Sequence, residues 1–91
     1  MTFADLDDGI RSEIEQLGWD AGCTWIADFR DERGRDPEPE ECDEEAEAAA
    51  ERLAASQARS VLKRHGIEAT HPLIQDVQGV LVRQFVEALE D

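Results

Sequence analysis

Apolar residues recur at helical spacing in three stretches of this chain. In the first, Phe3, Leu6, Ile10, Ile14, Leu17, Ala21 and Trp25 fall on one arc of about 100° at 3.6 residues per turn. The row stays in phase across Gly18, which predicts one helix over about residues 3–33 rather than two broken near Gly18 and Trp19. Thr2-Phe3-Ala4-Asp5 resembles a capping box at its start, and Gly34 suits the position just past its end. Gly18 and Gly22, four apart, flank a second strip of Trp19 and Ile26 and form a notch for the close approach of another helix.

A second helix is predicted over 37–65. Asp36 suits its N-cap, Pro37 its first position and Gly66 its stop. Its inward row reads Ala46, Ala49, Ala50, Leu53, Gln57 and Val61, with Cys42 at the edge. The third helix is predicted over 72–90. Its apolar positions, with Val82 and Val86 included, spread over about 220°, about twice the width that an edge helix needs. Such width predicts either a central place in the fold or a second contact with another chain. Val77-Gln78-Gly79-Val80-Leu81-Val82 also admits a strand, but the flanking helical row and the lack of a partner strand argue for helix.

The expected fold is therefore all-α, a single domain over 1–91. It is an elongated antiparallel helical hairpin with a third helix laid against it, a three-helix bundle. A compact sphere of this length has a radius of gyration of about 12 Å. Helices of nearly 30 residues are about 40 Å long and do not fit inside it. The thin, partly Ala-lined core and the wide third helix predict a homodimer. Trp19, Ile26, Val82, Val86 and Leu89 are its candidate packing surface.

Charge changes this picture. The 91 residues carry 23 acids against 9 bases, a net charge of −14. Residues 1–35 hold nine acids and four bases, residues 36–51 nine acids and no base, and residues 52–91 five of each. Adaptation to high salt coats every exposed face, whereas this charge is concentrated in 16 residues and the last 40 are neutral. An acidic balance works against direct nucleic-acid binding, which needs clustered Lys and Arg. No apolar run approaches the roughly 20 residues of a membrane span, and no leader pattern opens the chain. Cys23 and Cys42 make no disulfide framework, which predicts a reducing cytoplasm.

The acidic stretch is the main candidate for function. On a regular helix Glu40, Glu44, Glu47 and Glu51 form one column. Glu41 and Glu45 form a second row about 100° away, and Asp43 sits on a flank. Two carboxylate rows at this spacing imitate a nucleic-acid backbone, so the expected partner is a basic protein such as a nucleic-acid-handling enzyme. In that reading the chain is a non-enzymatic, DNA-mimicking inhibitor of the anti-CRISPR or anti-restriction type, of the kind phages carry. Encoded by a phage, it works in the host cytoplasm. The alternative is a dimeric, antitoxin-like adaptor that uses its apolar third helix, with the acids only solubilising it.

Chemistry has weaker candidates. Glu40-Glu41-Cys42-Asp43-Glu44 has the spacing Glu-Glu-x-x-Glu, which resembles the first metal motif of the all-helical MazG-like nucleotide pyrophosphatases. That resemblance implies Mg²⁺ held jointly with a Glu-x-x-Asp motif on a following helix, against a triphosphate. Residues 52–67 contain no acid, and Glu87-Ala88-Leu89-Glu90 comes late and ends in Glu. Glu68-Ala69-Thr70-His71 spells Glu-x-x-His but falls in an expected loop between Gly66 and Pro72. The sequence thus predicts no catalytic residue, metal or cofactor.

Overall fold

The computed structural model describes residues 2–90. Among them every regular element is helical. A short 3-10 turn, Phe3–Asp5, precedes α1 (Asp8–Arg33); α2 (Pro39–Glu41) runs through a π-helical turn (Cys42–Ala46) into α3 (Glu47–Arg64); α4 is His71–Glu90. Three long helical stretches pack together, with a radius of gyration of 13.7 Å and extents of 42 × 21 × 18 Å.

The first two predicted helix starts move, for local reasons, and the third lies one residue earlier, at His71. Thr2 donates its backbone N–H to Asp5 Oδ2 at 2.8 Å, so the capping pattern is real, but it closes only the 3-10 turn. Leu6 is then extended and buried, and α1 begins afresh at Asp8. In the second stretch the helix begins at Pro39 rather than Pro37. The residue before a proline is disfavoured in helical backbone, and Glu38 before Pro39 is extended (φ −81°, ψ 158°), so the helix that starts at Pro39 does not reach back to Pro37. Glu38 becomes the N-cap, and Asp36 pairs instead with Arg30.

The other ends follow the sequence more directly. α1 runs unbroken through Gly18 and ends at Gly34, whose left-handed backbone (φ 68°) lets its N–H reach Arg30 O at 2.7 Å. α3 ends in a Schellman motif at Gly66 (φ 69°). There Gly66 N–H bonds Lys63 O, and Ile67 N–H bonds Leu62 O.

α4 is the central element. Its wide apolar face is buried on one side by α1 and on the other by α3, which touch each other much less. The facing pairs fix direction. Gly18 lies against Leu81 and Gly22 against Phe85, so α1 and α4 run parallel. Glu13 meets Arg64 and His65 while Arg33 meets Glu45, so α3 runs antiparallel to α1.

The inward faces differ from those read off the apolar rows. On α1 the buried positions are Ile14, Gly18, Gly22 and Phe29, while Leu17, Ala21 and Trp25 are half-buried. On α3 they are Ala50, Ala54, Ala58, Val61 and Leu62, while Leu53 and Gln57 are half-buried. Both helices are turned so that their smallest residues meet α4. A Cβ added at Gly18 would stand 2.7 Å from Leu81 O, and one at Gly22 2.6 Å from Phe85 O. The notch predicted at Gly18 and Gly22 is therefore filled by α4 of the same chain.

Gly22→Ala sets a Cβ against the backbone carbonyl of Phe85. Overpacking of this kind costs about 1–3 kcal/mol, against a helix-propensity gain of about 1 kcal/mol. Urea unfolding is expected to show Gly22→Ala clearly destabilised. Gly9→Ala, which meets nothing within 4 Å, is expected to be neutral or slightly stabilised. Equal midpoints for the two variants would contradict this packing.

Candidate functional site

The acidic segment is anchored to α1 by two arginines that flank the Gly34 turn. Arg33 donates to Glu41 Oε2 at 2.6 Å and to Glu45 Oε1 at 2.9 Å, and Arg35 to Glu41 Oε1 at 2.6 Å. Both guanidinium groups lie over the buried ring of Phe29, their carbons 4.4 and 5.3 Å from its centroid. Glu41 also accepts the backbone N–H of Glu38 at 3.1 Å, closing the first turn of α2. The Arg35 hydrogen bond, then that backbone donor, hold the Glu41 carboxyl down to about 2, against an ordinary value of 4.5.

Three acids of the segment are thus engaged within the chain: Asp36 by Arg30, Glu41 by Arg33 and Arg35, and Glu45 by Arg33. Glu38, Glu40, Asp43, Glu44, Glu47 and Glu51 are exposed and have no basic side chain within 4.0 Å among the described residues. The sequence counted the acids correctly but did not separate these two sets.

Their layout also differs from the single column of Glu40, Glu44, Glu47 and Glu51. Glu44 borders a groove of about 540 Å³ between α1 and the second helical stretch, lined also by Trp25, Phe29 and Arg52. Asp43 and Glu47 border a different groove of about 450 Å³, with Pro37, Pro39, Val86 and Leu89. Glu51 borders a third, beside Gly79 and Val82. The column is also interrupted by the π turn at Cys42–Ala46, whose i→i+5 winding departs from regular α-helical register. The unpaired acids therefore form a ridge with Glu44 on its α1 side and Asp43, Glu47 and Glu51 on its α4 side.

The predicted packing residues fall into two groups. Val82, Val86 and Leu89 lie half-exposed along the α3–α4 grooves. Trp19 lies on the other flank of α4, beside Gln84, and Ile26 is half-exposed on α1; neither packs against a buried cluster.

No residue pattern signals the pairing of His65 and Glu13, which ties the end of α3 to α1. His65 Nε2 meets Glu13 Oε2, and Arg64 approaches Glu13 Oε1 at 3.6 Å. The His65 contact lowers the Glu13 carboxyl. At the same end of the molecule, Phe3 N–H donates to Asp76 Oδ2 at 2.6 Å and pins the amino-terminal turn to α4.

Among the described residues no three His, Cys, Asp or Glu side chains are arranged to hold a metal ion. The Glu-Glu-x-x-Glu spacing does not gather, since Glu41 is turned to its two arginines. Burial raises the pKa of the half-buried Cys42 thiol, with help from Asp43 and Glu41, while Cys23 is exposed; both are free. Also among the described residues, no helix is long and apolar enough to cross a membrane. No protein-family model, curated protein or solved structure matches this chain.

The depressed Glu41 carboxyl makes a signed prediction. Its stabilisation is complete above the ordinary value of 4.5 and disappears as pH falls toward 2. Glu41→Gln is expected to unfold at lower denaturant than the parent at pH 7, and the gap should close between pH 4.5 and 2. A gap that is absent at pH 7, or that widens on acidification, would rule out this role for Glu41.

Proposed function

We propose that this chain is a small, non-enzymatic protein that binds a basic protein partner through the acidic ridge at the start of its second helical stretch. The observation that carries the reading is the set of unpaired, exposed acids. Glu40, Asp43, Glu44 and Glu47 stand within eight residues, on a helix that is itself stapled to the body by Arg33 and Arg35. A rigid array of carboxylates loses little freedom on binding and steers an oppositely charged partner from a distance.

The partner class is a protein whose basic surface handles nucleic-acid phosphates, and the chain acts as its inhibitor. Anti-CRISPR or anti-restriction activity, encoded by a phage, is the most specific form of this reading. The two free cysteines are in keeping with a reducing cytoplasm. Glu41 and Glu45 support the ridge from within rather than contact the partner, because their carboxylates already carry Arg33 and Arg35.

A second reading, a homodimeric adaptor, draws on a different observation. Val82, Val86 and Leu89 leave apolar surface uncovered along one side of α4. The two readings use different residues and are compatible.

Charge reversal tests the first. Capture from native-host lysate, read by mass spectrometry, is expected to enrich basic nucleic-acid-binding proteins with the parent chain. Reversing Glu40, Asp43, Glu44 and Glu47 to Lys is expected to abolish that enrichment while the helical circular dichroism signal persists. So is raising salt to about 0.5 M, where the screening length falls to a few ångströms. Capture that survives both changes would refute the ridge as the binding surface.

A further inference from the structure

On α4, Gln75, Gly79, Val82, Val86 and Leu89 follow one another at steps of four, three, four and three residues, one seam along the outward side of the helix. Val82, Val86 and Leu89 are half-exposed and Gly79 is exposed. Across from them α3 contributes Ala54 and Ala55, leaving a groove of about 500 Å³ with a largely apolar lining. Its rim carries one acid, Glu51 on α3, and one base, Arg83 on α4. Both are exposed, and neither has an opposite charge within 4.0 Å in the chain, among the described residues.

Gly79 sets this groove apart from the glycine notch on α1. A Cβ at Gly18 or Gly22 would strike the α4 backbone, so the fold requires those glycines. A Cβ at Gly79 would meet nothing within 4 Å, and its backbone is ordinary helix. Nothing inside the chain uses the space left by a glycine placed mid-helix, where it weakens the helix.

We propose that this groove is the homodimer interface and that its occupant is the same groove of a second copy. The proposal rests on the homodimeric reading above and adds its face and its pairing. A two-fold axis passing near Val82 lays the two α4 seams across each other. It sets Glu51 of each copy over Arg83 of the other, so the rim charges complement themselves. The same rotation carries Val86 of each copy toward the depression at Gly79 and Ala55. Two chains of −14 each meet here on a rim that carries one acid and one base per copy. Trp19 and Ile26, on the far flank, stay outside the interface.

Sedimentation equilibrium on the full chain tests the face and the dimer separately. The parent is expected to be dimeric at micromolar concentration. Arg83→Glu, which sets two like-charge pairs across the axis, is expected to weaken the dimer by about tenfold or more. Combining it with Glu51→Arg should restore the dimer to within a few-fold of the parent. Lys63→Glu makes the same charge change away from the groove and should leave the dimer intact. Gly79→Leu fills the depression and should dissociate the dimer while circular dichroism stays helical. A monomeric parent overturns the proposal together with the homodimeric reading. A dimer indifferent to Arg83→Glu and Gly79→Leu overturns the face alone, and no recovery in the double variant overturns the charge pairing.

Discussion

The approach of α4 to the glycine notch of α1 is the constraint on which the remaining packing depends. Two backbones stand so close at Gly18 and Gly22 that a single Cβ cannot be placed between them. Contact at that range fixes which way α1 faces, because only the glycine side admits α4. On the opposite flank the alanines of α3 play the same part with less severity, and Ala50, Ala54 and Ala58 are all buried. α4 thus supplies most of the large core side chains, among them Leu73, Leu81 and Phe85. Its neighbours supply the shape that receives them.

That division of labour decides what is left at the surface. With glycine and alanine turned inward, larger apolar residues move to the edges of the helix contacts. On α1 this leaves Trp19 and Ile26 half-exposed, and on α4 Val82, Val86 and Leu89 are half-exposed as well. The same geometry brings the end of α1 beside the acidic stretch, where Arg33 and Arg35 reach Glu41 and Glu45 over the Phe29 ring. Those contacts neutralise part of the segment and hold it rigid. The remaining acids of the segment stay exposed, with no basic side chain within 4.0 Å among the described residues.

The helical character and the central place open to the third helix were legible in the sequence, because helical periodicity and the breadth of an apolar arc are local signals. The orientation of α1 and α3 was not. Reading apolar rows favours Leu17, Ala21 and Leu53, since large side chains carry the signal, whereas close approach selects Gly18, Gly22, Ala54 and Ala58. The two glycines were visible as a notch, but their partner is set by a contact some sixty residues distant in the chain. The proline pair shows the same limit on a shorter scale. Asp36-Pro37 reads as the helix start, and the preference of Glu38 for extended backbone before Pro39 moves that start to Pro39. In the site, the number of acids was plain. The pairing of Glu41 was not, since it depends on the turn at Gly34 bringing Arg33 and Arg35 back over Phe29.

The packing rests on the approach of α4 to Gly18 and Gly22, and that approach is observable at the two glycines themselves. Nuclear Overhauser contacts in isotopically labelled protein report it without any substitution. Strong cross-peaks are expected from the Gly22 α-protons to the Ala88 methyl, and from the Gly18 α-protons to the β-protons of Gln84. Cross-peaks from Leu17 and Ala21 to those same protons of α4, with none from the two glycines, would contradict the account.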